Sequence, residues 1–185
     1  MFDAQCDFAA IAFEVGDDPD GLLLQFAEDL RRSGHRVVGA VQHHVHGLRN
    51  PNLDALVLPG AQVVNLSHHP GDDTQDCHID DVRLATIGCT IEAAIEEGGD
   101  LVIINRFGKL EAAGRSLIRL IKQAVDADIP VITVVPAHRF AAWVKYSNGM
   151  SVRLPCRRAA LDAWWASVTR AVHEGSGACF CAVVK

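Results

Sequence analysis

Several features are missing from this 185-residue chain, and each absence removes a class of function. No apolar run approaches the ~20 residues of a membrane-spanning helix, so no membrane partner is expected. The start MFDAQCDF carries an acid where a signal peptide would carry a basic segment, and a cytoplasmic location is the expectation. A basic surplus is also missing: 17 Lys and Arg stand against 23 Asp and Glu, a formal charge of -6. That sign is wrong for sequence-independent binding of nucleic acid, which works by neutralising phosphates. Cys6, Cys77, Cys89, Cys156, Cys179 and Cys181 lack the paired CxxC spacing of a zinc ribbon and the density of a secreted disulfide scaffold. They read as free thiols, most of them acting as small apolar residues. There is no GxSxG, and no cysteine sits at an evident strand-to-helix elbow, so no Ser/His/Asp or Cys/His nucleophile is offered. Repeats, low-complexity segments and linkers are absent too. With 49% hydrophobic and 22% charged residues, the chain reads as one globular domain over residues 1–185, in which 175–185 is a tail without periodicity.

What is present is an alternation of short apolar runs with helical patterns. Phe8 to Phe13 (FAAIAF) is a run of strand length, followed by the acidic loop DDPDG. Asp18 before Pro19 is a helix start, because its carboxylate satisfies free backbone N–H groups and proline fits the first helical position. Leu23, Phe26, Ala27 and Leu30 then share one helical face, and Ser33-Gly34 ends it. Arg36 to Gln42 completes a βαβ unit with a right-handed crossover. The runs LDALVLP and QVVNLS flank Pro59-Gly60 and predict an antiparallel hairpin beside the sheet; Ser67 to Asp76 reads as turn-forming. Asp80 or Asp81 caps a helix through Leu84, Ile87, Ile91, Ala94 and Ile95. Leu101 to Ile104 reads as a strand buried on both faces. Leu110 to Ala124 predicts a further helix, Pro130 to Val135 a strand, Ala137 to Tyr146 a shorter helix, Met150 to Leu154 an edge strand, and Leu161 to Val172 a last helix. The expected fold is a three-layer α/β/α domain with a mainly parallel sheet and a small antiparallel hairpin.

Strand, loop, helix, strand, and then an apolar strand ending in a polar cluster is the layout of a P-loop nucleotide-binding domain. Gly16 and Gly21 keep the GxxxxG spacing, but Leu22 and Leu23 occupy the places of the phosphate-binding Lys and the magnesium-binding Ser or Thr. Asn105 likewise follows LVII where the second signature has its metal-holding Asp. The loop is degenerate.

On the strand and helix NRFGKLEAAGR, on Gln42 closing VVGAVQ, on Cys77-His78-Ile79-Asp80 and on Leu161-Asp162-Ala163-Trp164-Trp165, the chain resembles an uncharacterised bacterial family, domain-of-unknown-function family twenty-four seventy-eight. That family is similar in layout to the small nucleoside-triphosphatases of the THEP type. Its members are often encoded beside molybdate-uptake genes, so the resemblance implies a link to molybdenum or another oxyanion. This chain departs from it in having histidines, His68 and His69 among them, where relatives have mixed polar residues.

Ligands of open α/β sheets bind at the carboxyl ends of the strands, which makes Asp100 to Arg115 the best candidate site. Strands ending at Glu14, Gln42 and Asn105 are expected to open on one edge. The cleft there would be walled by Gly16 to Gly21, with Asp17 and Asp18, by Gln42 to His44, and by Asn105, Arg106, Lys109 and Glu111. Arg106 and Lys109 are its firm cations and would hold a small anionic ligand. Two bland readings stand beside this one. The charge run is a solvated helix entrance, and the three aspartates Asp17, Asp18 and Asp20 are a capped, solvated loop. If Arg106 locks onto Asp17 or Asp18, the motif is structural. His43, His44 and His46 with Cys77 and His78 are either surface residues or converging zinc ligands, although their spacing matches no standard finger. Cys179 and Cys181 form a CxC in the tail. Trp164 and Trp165 pack the last helix with one exposed edge, a surface for a protein partner or a second copy. A bound oxyanion or zinc is thus the cofactor expectation. The favoured function is a non-catalytic or regulatory ligand-binding protein in oxyanion or metal homeostasis; the alternative is a nucleotide-binding enzyme working through Arg106, Lys109 and Glu111.

Overall fold

The computed structural model describes residues 7–43, 54–68, 78–108 and 116–173. In these, β1 (Phe8–Phe13) leads through α1 (Pro19–Arg32) to β2 (Val37–His43), β3 (Asp54–Leu58) and β4 (Gln62–Asn65). The short strands β5 (Ser67–His68) and β6 (His78–Ile79) precede α2 (Asp81–Glu96) and β7 (Leu101–Ile104). Next come α3 (Arg119–Asp126), β8 (Val131–Pro136), α4 (Phe140–Tyr146), β9 (Val152–Pro155) and α5 (Arg158–His173).

Seven strands form one sheet in the order β4-β3-β2-β7-β8-β1-β9. From β2 to β9 every neighbouring pair is parallel, and β3 and β4 add the antiparallel hairpin at one edge. Alternation along the strands sends side chains to two separate cores. Ala9, Ile11, Val37, Leu101, Ile103, Ile132 and Val134 face Leu23, Phe26 and Ala27 of α1 and Leu161, Trp164 and Val168 of α5. Phe8, Ala10, Val38, Val102, Ile104, Val131 and Val135 face α2, α3 and Trp143 of α4. The result is three layers, and the central strands β1, β7 and β8 are mainly apolar runs because both of their faces are covered. A fully buried residue such as Leu23 contributes about 1.5–3 kcal/mol relative to exposure.

Local chemistry sets the boundaries. Asp18 caps α1 by accepting from the Gly21 N–H, with Pro19 at the first position. Asp80 caps α2 by accepting from the Val82 and Arg83 N–H groups. Gly39 lies inside β2 at φ +128°, and a Cβ there would collide with the carbonyl oxygen of Ile103, so β2 and β7 meet backbone to backbone.

Several boundaries differ from the sequence expectations. Ser67 is not in a turn: β5 pairs with β6, held by the Asp80 N–H donating to the Leu66 carbonyl at 2.9 Å beside buried Leu66. Of the helix expected from Leu110 to Ala124, the described part is a 3-10 turn at Ser116–Ile118 running into α3; its expected start lies outside the described residues, with 109–115. The helix expected from Ala137 opens as a 3-10 turn, Ala137–Arg139. No helix among the described residues is long and apolar enough to cross a membrane.

Candidate functional site

The carboxyl ends of β1, β2, β7, β8 and β9 lie on one edge of the sheet, since all five strands are parallel. Beyond β1 the chain turns at Gly16, whose φ of +102° suits a residue without a Cβ. The loop then satisfies its own backbone. Asp17 Oδ2 accepts from the Glu14 N–H at 2.8 Å, and Asp18 Oδ1 accepts from the Gly21 N–H at 2.9 Å. A Cβ on Gly21 would collide with the Asp18 carboxylate. Leu22 packs against the core and Leu23 is fully buried within it, so the positions of the P-loop Lys and Ser or Thr are spent on packing.

The facing wall begins where β7 ends. The Asn105 N–H donates to the Ala40 carbonyl at 3.3 Å, and the Phe107 N–H reaches over to the Val134 carbonyl at 2.9 Å. Phe107 is buried against Trp143, with ring centroids 5.1 Å apart. Between these anchors, Asn105 and Arg106, joined by a cis peptide bond, turn toward the loop after β1. Asn105 Nδ2 donates to Asp20 Oδ1 at 2.8 Å and Arg106 NH2 donates to Asp20 Oδ2 at 2.7 Å. The guanidinium also lies 5.1 Å from the centroid of the Phe13 ring. Asp20 is buried in the first turn of α1, where the helix dipole favours a negative charge. Among the described residues Asn105 Oδ1 and Arg106 Nε are buried without a hydrogen-bond partner.

Of the residues expected here, Gly16, Asp17, Asp18, Gly21, Asn105 and Arg106 lie on the two facing walls. Gln42 lies half-buried near the end of β2, beside β7 on the same sheet edge. Lys109 and Glu111 fall outside the described residues, as do His44 and Cys77. His43 ends β2, whereas His78 belongs to β6 in the separate two-stranded sheet. No group of three or more His, Cys, Asp or Glu residues among the described residues is arranged to hold a metal ion.

Arg106 faces the aspartate cluster across the cleft, but its ion pair is with neither Asp17 nor Asp18, the partners of the structural alternative. Asp17 and Asp18 are turned inward on their own loop, and the partner of Arg106 is Asp20. The signal was in the helix pattern: Asp20 is in register with Leu23, Ala27 and Leu30, and a carboxylate on an apolar stripe requires a buried partner. Cys156 was missed as well. It lies between β9 and α5, which is a strand-to-helix elbow after all. Burial pushes its thiol up to about 11, and the charges of Asp17, Asp18 and Asp20 add to that shift. Cys156 is therefore a neutral thiol beside the acidic loop and lacks the electropositive setting of a nucleophile.

A parallel sheet, a glycine-bounded loop opening α1 and a polar cluster beyond β7 make an α/β fold similar to that of a P-loop nucleoside triphosphatase, with Leu22 and Leu23 in the places of its phosphate-holding Lys and its Ser or Thr. The chain belongs to the family described as protein of unknown function, DUF2478, whose model matches residues 8–164. It is 36% identical over 159 residues to "Molybdenum import ATP-binding protein ModC 2" of Bradyrhizobium diazoefficiens, a match covering 85% of this chain and 18% of that protein. The chain thus spans less than a fifth of that relative's length. Among solved structures it is similar to a human cancer-related nucleoside triphosphatase, with a TM-score of 0.59 at 14% identity over 92% of this chain and 99% of the other. At that identity the likeness concerns the fold.

Proposed function

We propose that the chain is a non-catalytic, regulatory binding module on a degenerate P-loop scaffold, acting in oxyanion handling beside the ATP-binding subunit of a molybdate importer. The observation that carries this reading is the state of the loop. The donors and cation that would meet a polyphosphate are engaged by Asp18 and Asp20, and the positions of the catalytic Lys and Ser or Thr are packed leucines. Phosphoryl transfer depends on positioning and on charge neutralisation by those groups and magnesium, so the loop has no means of supporting it. The kinship with a molybdenum import ATP-binding protein supports the assignment to oxyanion handling and supplies the class of partner to be regulated. An enzyme working through Arg106 would need that guanidinium on its substrate, and the observed partner is Asp20.

The test is phosphate release from ATP and GTP with magnesium, by the chain alone and by a molybdate importer with and without the chain. Expected are no turnover by the chain alone and a changed rate for the importer. Turnover by the chain alone that disappears in Arg106→Ala would overturn the proposal, and so would an importer indifferent to the chain.

A further inference from the structure

The two walls of the cleft meet through an incomplete contact. A guanidinium grips an oxyanion best through two parallel N–H groups on adjacent nitrogens, such as Nε and one terminal nitrogen. Here Asp20 divides its oxygens, one to Arg106 NH2 and one to Asn105 Nδ2. Arg106 Nε is left buried without a partner among the described residues, and so is Asn105 Oδ1. Each is a polar atom whose hydration has been lost with nothing in return. The Arg106 side chain is nevertheless 32% exposed, whereas that of Asp20 is only 7% exposed. The cation can therefore be approached from water while its present partner is shielded.

We infer that Asp20 is an autoinhibitory latch: it occupies Arg106 in place of a small oxyanion and yields to one that can engage Nε and NH2 together. The ligand class follows from the chemistry of the contact. The group displaced is a carboxylate, so the competitor is a compact anion with two oxygens at similar separation, of which molybdate and sulfate are usable probes. Phe13 beneath the guanidinium and the backbone anchors at Asn105 and Phe107 keep the cation in place when Asp20 releases it. The inference rests on reading this sheet edge as an oxyanion site, and it is independent of whether an importer responds to the chain.

Isothermal titration of molybdate and of sulfate into wild type, Asp20→Asn and the double variant Asp20→Asn/Arg106→Ala tests it, with circular dichroism establishing that each is folded. Removing a competing charge-assisted hydrogen bond should tighten binding to Asp20→Asn by about ten- to a hundredfold, and adding Arg106→Ala should abolish the gain. Affinity in Asp20→Asn no higher than in wild type overturns the latch, as does a gain that survives loss of Arg106. Silent wild type beside a binding Asp20→Asn also overturns it, because Asp20 then does not yield to the anion. Should Asp20→Asn not fold, the Arg106 Nε–Hε resonance of wild type decides: a saturable shift on adding sulfate upholds the latch, and an unmoved signal overturns it.

Discussion

Replacing Arg106 by alanine asks whether its contact with Asp20 also holds the fold together. The substitution takes a cation away from a carboxylate whose side chain is 7% exposed. Breaking a fully buried pair costs about 3–5 kcal/mol, because the remaining charge has been taken out of water. Three features of the site adjust that figure. The guanidinium is 32% exposed, and solvent screening reduces what the pair is worth. Asn105 Nδ2 still donates to Asp20, and the first turn of α1 offsets about 0.5–1 kcal/mol of the remaining charge. Against these, the stacking of Arg106 over Phe13 is lost, worth about 0.5–1 kcal/mol. The net expectation is a loss of about 2–3 kcal/mol. In a chain of this length that lowers the melting temperature by about 4–12 °C. Calorimetry of Arg106→Ala, Asp20→Asn and the double variant measures it. The double variant should recover more than half of the loss, because the carboxylate that lost its cation is gone too. An Arg106→Ala protein melting within about 1 °C of wild type, where 1 kcal/mol should register as 2–4 °C, would refute the reasoning.

Two further outcomes follow from titrating groups. With its thiol at about 11, Cys156 is almost wholly protonated at neutral and mildly alkaline pH, whereas Cys89 is exposed on α2. Iodoacetamide followed by peptide mapping should therefore modify Cys89 well before Cys156, and equal labelling would contradict the acidic, half-buried setting of Cys156. Asp29 bears on α1 and α5: its hydrogen bond to Arg158, with the Arg158 and Arg32 charges, holds its carboxyl below the ordinary 3.8. A depressed folded-state value means that this contribution is present above 3.8 and is lost as pH falls through the lower value. Arg158→Gln should thus flatten the acid limb of a plot of melting temperature against pH while changing little of its shape above 3.8; an unchanged acid limb would show that the clasp contributes nothing.

Much of the scaffold was legible because burial leaves a plain trace. Phe8–Phe13, Leu101–Ile104 and Val131–Pro136 are apolar runs for the same reason, coverage on both faces, and Asp18-Pro19 marks the start of α1. That uniformity also hid the strand order. Runs that are chemically alike and joined by long crossovers carry no label of their neighbours, so nothing in FAAIAF or LVII places β8 between them. The site inherited the same ambiguity. Three aspartates within four residues were equivalent partners for Arg106 by sequence distance, and only the inward turns of Asp17 and Asp18 leave Asp20 to meet it. The elbow at Cys156 was hidden because β9 is a four-residue strand with two exposed positions, Arg153 and Pro155, too short and mixed to announce its end.

The insertion of β8 between β1 and β7 also determines what kind of contact the latch is. Were β1 and β7 neighbours, the loops at their ends would adjoin directly and any pairing between them would be a local matter of side chains. With β8 intervening, the chain after β7 crosses over β8 to reach the loop of β1, and the Phe107 N–H bond to Val134 records that crossing. Phe107 is then locked among Trp143 and Tyr146, at 5.1 and 5.7 Å between ring centroids. The place of Arg106 is consequently set by backbone hydrogen bonds and an aromatic cluster on the far side of the sheet from α1. Asp20 meets a cation already in position and does not create that position. This is why a change at Asp20 should alter what Arg106 binds more than where Arg106 stands, and why the two substitutions of the pair are expected to behave differently: loss of the arginine removes a cation from a buried carboxylate, whereas loss of the aspartate releases a cation that water can reach.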